Sequence, residues 1–110
     1  MKQYVIDELR PQDHEVLKKY LDEAFGQDAI GGIYWIPVDS DLLNRVQLQH
    51  KDCRPHYLAL DLEPDRLACE LLVRTKNRMR CDCIQYATEP QRNWLIEFID
   101  TVFDQLGIAS

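Results

Sequence analysis

The chain lacks the features that would place it in a membrane or outside the cell. None of its apolar runs approaches the roughly 20 residues that a membrane-spanning helix needs. The opening residues, MKQYVIDELR, contain no apolar segment typical of a secretory signal. We therefore expect a cytoplasmic protein with no membrane partner. In that reducing compartment its four cysteines are more typical of free, metal-bound or catalytic thiols than of disulfides.

Positive charge is scarce as well. Lys and Arg number 13 against 19 for Asp and Glu, which gives a net charge of −6. Because a protein that follows nucleic-acid phosphates needs clustered positive charge, we expect no nucleic-acid partner. Glycine and proline are few, at 4 and 5 residues, and the 45% hydrophobic content is typical of a folded globular domain. The 110 residues are therefore expected to form a single domain, 1–110.

Apolar residues at helical spacing predict three helices, over about 11–25, 40–49 and 89–106. Pro11 suits the first position of the first helix, where its missing N–H costs nothing. Thr88 and Gln91 have the spacing of a capping box at the start of the last helix, and Gly107 follows its end.

Alternating apolar residues predict a three-stranded meander over about 56–62, 67–74 and 78–86. Two further strands are expected within 3–8 and 29–38. The whole pattern predicts an α+β fold, an antiparallel sheet with a three-stranded meander covered on one face by helices. Tight turns at EPDR and TKN would place Leu62 opposite Leu67 and Cys69 opposite Cys83. In that register three thiols, those of Cys69, Cys81 and Cys83, share the covered face.

Two short motifs, HKDCRPH at 50–56 and RCDC at 80–83, suggest a metal site. Thiolate and imidazole are zinc ligands, and a structural zinc site needs four of them in a closed tetrahedron. We therefore consider a structural Zn²⁺ held by His50, Cys53, Cys81 and Cys83, with His56 as a substitute for His50 or a supporting group. The spacing is less specific than paired C-x₂-C motifs. It also requires the 50–56 loop to approach the third strand.

Two other interpretations of the thiols stay open. The simpler one is that cysteines in strands pack as small buried hydrophobic residues. The other is thiol chemistry centred on the 50–56 loop, where Cys53 has His50 and His56 nearby as candidate bases.

A cluster of basic residues at the second hairpin, Arg74, Lys76, Arg78 and Arg80, forms a local positive surface that could contact an acidic protein or a phosphate group. The competing interpretation is that these charges keep the hairpin soluble. Together the patterns predict a small cytoplasmic accessory or protein-interaction domain with a structural zinc site, and not an enzyme. The alternative is a thiol-dependent Cys–His enzyme or redox module on residues 50–56.

Overall fold

The computed structural model describes residues 2–26 and 29–109 of the chain. In that part, six strands and three α-helices follow one another along the sequence. They are β1 (Gln3–Ile6), α1 (Pro11–Phe25), β2 (Ile33–Pro37), α2 (Arg45–Gln49), β3 (His56–Glu63), β4 (Arg66–Glu70), β5 (Leu72–Thr75), β6 (Gln85–Tyr86) and α3 (Glu89–Leu106). Short 3₁₀ helices cover Ser40–Leu42 and Lys51–Cys53. Across these described ranges no helix is both long and apolar enough to cross a membrane.

The central strand of the sheet is β3, and every pairing is antiparallel. On one edge β3 pairs with β2, and on the other it pairs first with β5 and then with β4. The strands β4 and β5 act as one long strand interrupted at Leu71. Its far edge pairs with β1 beside β4 and with β6 beside β5. The predicted α+β fold with an antiparallel sheet is confirmed.

One face of this sheet forms the core together with the two long helices. Leu58, Leu60 and Leu62 alternate along β3 and are all buried, as the predicted period of two requires. From the helices, apolar residues of one stripe on each join the same hydrophobic cluster, among them Leu17, Leu21, Leu95, Ile99 and Phe103. The helical spacing of apolar residues predicted these helices because the apolar stripe of each helix packs against the sheet.

The predicted helices 11–25 and 89–106 are confirmed to the residue. The side chain of Thr88 accepts from the Gln91 backbone, the Gln91 side chain accepts from the Thr88 backbone, and Gly107 ends the helix with φ +70°. The predicted helix 40–49 is wrong in its first half. Asn44 forms a capping box of its own with Gln47, so α2 begins only at Arg45 and the residues before it form a separate 3₁₀ turn.

The predicted third strand, 78–86, is wrong over most of its length, because only Gln85–Tyr86 is extended and paired. Leu62 does lie opposite Leu67, and Leu60 opposite Cys69. However, Val73 pairs with Gln85, so Cys69 does not face Cys83. The expected register would have set Glu70 against Asp82, two like charges. Instead β5 ends at Thr75 and the chain leaves the sheet in a loop, residues 76–84.

Candidate metal centre

Three of the four cysteines converge at one point of the molecule. The sulfur atoms of Cys53, Cys81 and Cys83 lie within 4.8 Å of one another, and the Sγ atoms of Cys53 and Cys81 are 3.8 Å apart. Zinc–sulfur bonds of about 2.3 Å in a tetrahedron place neighbouring sulfurs about 3.8 Å apart. The cluster is therefore close enough to hold one metal ion. The 50–56 loop does approach the C-x-C segment, as a shared site requires.

A tight turn brings the two cysteines of the C-x-C segment together. In an extended strand, residues two apart are separated by about 6–7 Å, too far for one ion. Here the N–H of Ile84 donates to the Cys81 carbonyl at 3.0 Å, and Asp82 and Cys83 form the centre of the turn. The side chain of Gln85 donates to the Asp82 carbonyl at 2.8 Å. The same departure from the strand that contradicts the predicted register thus makes a shared ion geometrically feasible.

Hydrogen bonds attach the Cys53 segment to the hairpin that carries the other two cysteines. The hydroxyl of Thr75 donates to the Cys53 carbonyl. The Asn77 side-chain amide donates to the carbonyls of Asp52 and Arg54, at 3.1 and 3.3 Å. Asn77 was expected to close a three-residue turn, but instead it joins two segments that lie more than twenty residues apart.

The electrostatics of the cluster favour a thiolate at Cys81. The backbone N–H of Cys83 donates to the Cys81 sulfur and lowers the pKa of that thiol, and the neighbouring thiols act in the same direction. Burial raises the pKa of Cys83 to about 12. A metal binds the deprotonated thiol, and Cys81 loses its proton more readily than Cys83. A cation would have to displace the proton of Cys83.

His50 lies beside the cluster without joining it. Its Nδ1 is 2.6 Å from the Val46 carbonyl, which can only accept, so Nδ1 donates this hydrogen bond and Nε2 is the ring nitrogen that takes no part in it. His50 lines a cavity of about 370 Å³ together with Cys53 and Cys81, and it is not a member of the group of ligand atoms within 4.8 Å. Of the four predicted ligands, three are brought together and the fourth is their neighbour.

Two other residues considered from the sequence lie away from the cluster. His56 is fully buried, and neither of its ring nitrogens has a hydrogen-bond partner within residues 2–26 and 29–109. Cys69 packs in the hydrophobic core opposite Leu60, where burial raises its pKa to about 12. The prediction that Cys69 shares a sheet face with Cys81 and Cys83 is wrong, because those two cysteines lie in the loop before β6 and not in a strand.

A buried pair of glutamines supports the cysteine turn from behind. The Gln47 amide donates to the Cys83 carbonyl at 3.3 Å, and the Gln91 amide donates to the Gln47 side-chain oxygen at 2.9 Å and to the Leu42 carbonyl at 2.8 Å. Both glutamines are fully buried. From the sequence we identified Gln91 only as a capping residue and missed Gln47. The available signal was the capping-box spacing from Asn44 to Gln47.

The predicted interaction residues lie on β5 and on the loop between β5 and β6: Arg74, Lys76, Arg78 and Arg80. The ammonium group of Lys76 stands 4.4 Å from the Tyr57 ring centre and 5.7 Å from that of Trp35. The last two arginines are exposed and line the cavity beside the cysteines. Binding of a partner by these residues stays a prediction.

Fold and site together define an α+β structure with a cysteine triad in the segments that precede β3 and β6. The chain matches no protein-family model, no curated protein and no solved structure. What the domain does must therefore be inferred from its own residues and their geometry.

Proposed function

We propose that this chain is a small protein-interaction domain whose cysteine cluster holds a structural zinc ion. The 3.8 Å separation of the Cys53 and Cys81 sulfurs carries the proposal, because it equals the edge of a zinc–thiolate tetrahedron. Zinc prefers thiolate and imidazole ligands, and Cys₃His is one of its structural ligand sets. Three thiols within 4.8 Å supply most of that set.

His50 is the fourth ligand in this proposal. Zinc-bound histidines typically donate the other ring N–H to a carbonyl or carboxylate, which fixes the ring and the tautomer. The Nδ1–H of His50 already donates to the Val46 carbonyl, and the side chain lines the same cavity as Cys53 and Cys81. Its other ring nitrogen, Nε2, is the atom that we assign to the open corner of the tetrahedron.

A structural role fits the segments that the ion would join. Cys53 ends a 3₁₀ helix, and Cys81 and Cys83 belong to a turn in the loop between β5 and β6. Such segments have few hydrogen bonds to neighbouring strands and therefore low local stability. An ion shared between them would stabilise them against local unfolding. The basic residues Arg78 and Arg80 stand on the same loop, so an ordered loop also presents the interaction surface.

Elemental analysis of protein purified without added metal tests the zinc site. We expect one zinc ion per chain, and its loss, with a lower unfolding temperature, when Cys81 and Cys83 are both replaced by Ser. Cys69→Ala is the matched control, because Cys69 is a buried cysteine outside the cluster. It should destabilise the core by roughly 1–2 kcal/mol and keep its zinc.

Competition with a chromogenic chelator then tests the fourth ligand. His50→Ala should weaken zinc binding by at least about tenfold. Unchanged affinity in His50→Ala would assign the fourth position to water. The metal site would be overturned if wild-type protein contained no zinc and if Cys81 and Cys83 resisted thiol reagents until the protein unfolded. The cysteines would then only pack.

A redox dithiol is the second candidate, favoured by the lowered pKa of Cys81 at 3.8 Å from the Cys53 sulfur. Attack of the Cys81 thiolate on hydrogen peroxide would give a sulfenic acid and hydroxide. The Cys53 thiol would then form the disulfide and release water. A mass loss of about 2 Da in zinc-free protein, mapped to a Cys53–Cys81 cross-link, would support this candidate. Oxidation that stops at sulfinic acid on Cys81 would oppose it.

A further inference from the structure

A second and larger cavity shares a loop with the cysteine cluster. It measures about 670 Å³, within the range of cavities that bind ligands. The loop 76–84 contributes Lys76, Arg78, Met79 and Ile84 to its lining, and Arg78 also lines the smaller cavity beside the cysteines. The larger cavity and the candidate metal centre are therefore built from the same stretch of chain.

The lining combines positive charge with apolar surface. Lys76 and Arg78 supply the charge together with Arg74, whose guanidinium is paired with Glu70 at 3.1 Å, and Trp35 and Ile84 are among the apolar residues. Of the described residues that line the cavity, none is acidic. On a chain of net charge −6 this is a local concentration of the opposite sign, which favours an anionic occupant.

Two large apolar side chains at this cavity stand in solvent. Met79 is 98% exposed and Ile30 is 82% exposed, and both belong to the lining. Methionine, tryptophan and arginine are enriched at protein interfaces, and apolar surface next to charge marks such sites. A small molecule inside the cavity would leave these projecting side chains uncovered, whereas a polypeptide segment would bury them.

Trp35, which lines the cavity, and the neighbouring Tyr57 hold one of the cations in place. Trp35 packs edge-on against Tyr57 with 6.1 Å between ring centres, and the Lys76 ammonium lies over both rings. A cation held this way is oriented before a partner arrives, which reduces the entropy lost on binding. Arg78 adds a guanidinium that can grip a carboxylate with two hydrogen bonds.

We infer that this cavity binds a segment of a partner protein in which a carboxylate stands beside a large apolar side chain, and that metal at the cysteine cluster keeps the cavity formed. The first part rests on the lining alone, and the second part rests on the proposed zinc site. Cys81 and Cys83 lie between Met79 and Ile84, so an ion that fixes the two cysteines also fixes the wall that these two residues form.

A fluorescein-labelled peptide containing Asp-Phe-Asp-Leu, flanked by Gly-Ser, is the probe, and fluorescence anisotropy measures its binding. We expect binding that weakens with added salt and is lost when both Asp residues become Asn or when Phe and Leu become Ser. Arg78→Glu and Met79→Ser should each weaken binding by about tenfold. Arg92→Glu, an exposed arginine on α3, is the matched control and should bind as wild type does.

Equal binding of the Asn peptide, or wild-type affinity in both Arg78→Glu and Met79→Ser, would overturn the proposed occupant. The metal arm uses the same peptide on protein whose zinc content is measured before and after chelation. Binding that is lost with zinc and returns on adding it supports metal control, and identical binding at both zinc levels overturns that control alone. If the protein never holds zinc, the proposed zinc site fails while the peptide measurements still decide the docking site.

Discussion

At the scale of single residues, His56 is the least expected feature of the molecule. Its imidazole is fully buried on the face of β3 that also carries Leu58 and Leu60, and no described residue hydrogen-bonds to its ring. A buried polar group without a partner costs about 1–3 kcal/mol, and a charged one costs more. Burial therefore favours the neutral form of the ring in the folded state. Burial, followed by the nearby Arg54 and His50, holds the pKa of His56 below its ordinary value of 6.5.

This lowered pKa predicts a loss of stability in mild acid. As the pH falls through 6.5, the unfolded chain takes up a proton at His56 before the folded chain does, so the free energy of unfolding decreases toward the folded pKa. At pH values well above 6.5 both states hold a neutral His56, and its contribution to the free energy of unfolding is constant. Urea denaturation of wild type and His56→Leu, from about pH 7.5 to 5, measures it. His56→Leu should lose less stability over this range.

The difference between the two proteins isolates His56, because both contain the same cysteines and acid releases any metal from both alike. Parallel pH profiles would show instead that the thiols or the carboxylates cause the acid sensitivity.

At the scale of elements, residues near in sequence were enough to predict the long helices, but they could not predict a segment whose hydrogen-bond partners lie far along the chain. The ends of α1 and α3 follow from Pro11, from the pair Thr88 and Gln91, and from Gly107, each of which acts within a few residues of itself. The alternation of Met79, Cys81 and Cys83 predicted a strand by an equally local pattern, and that prediction was wrong. Instead, the Asn77 side chain donates hydrogen bonds to the carbonyls of residues 52 and 54 where the chain leaves the sheet. No local pattern reveals such distant partners.

The turn that leads into β2 offers a prediction with an internal control. Gly31 and Gly32 both have positive φ, +62° and +85°, where side chains other than glycine are strained. A Cβ on Gly31 would meet nothing within 4 Å, but one on Gly32 would lie 2.8 Å from the Leu62 carbonyl oxygen. Gly31→Ala should therefore cost roughly 1 kcal/mol, and Gly32→Ala at least about 2 kcal/mol.

Thermal and urea denaturation of the two glycine variants, compared with wild type, provide the measurement. The larger loss in Gly32→Ala should appear because the backbone near Leu62 has to move, and Leu62 donates its own N–H to the Gly32 carbonyl at 2.9 Å. Equal losses would mean that only the backbone conformation matters and that the close approach does not.

At the scale of the whole molecule, the candidate site is assembled from distant parts of the chain. The residues could be proposed as ligands from their chemistry, and Cys53, Cys81 and Cys83 do meet. Their meeting could not be read from the sequence, because it depends on the 3₁₀ helix after α2, on the turn before β6 and on glutamines from two helices. A one-dimensional pattern contains no measure of those separations. The predicted register, for example, put Cys69 on one sheet face with Cys81 and Cys83, whereas Cys69 packs in the core and the other two lie in a loop.

The glutamine pair gives the last prediction, since it connects the helices to the candidate metal centre. Gln47→Leu removes the donor to the Cys83 carbonyl and the acceptor of the Gln91 amide, both in the interior. The unsatisfied groups should lower the free energy of unfolding by about 1–3 kcal/mol. Because the Cys83 peptide is then less firmly held, zinc affinity should fall about tenfold.

Urea denaturation and chelator competition on the same samples separate the two effects of Gln47→Leu. Gln105→Leu, an exposed glutamine on α3, is the matched control and should change stability by no more than about 0.5 kcal/mol, with wild-type zinc affinity. A Gln47→Leu protein that loses stability but binds zinc as wild type does would show that the glutamines support the fold and not the metal. Loss of both together would mean that α2 and α3 set the position of the Cys83 ligand, so that the domain and its metal centre fold as one unit.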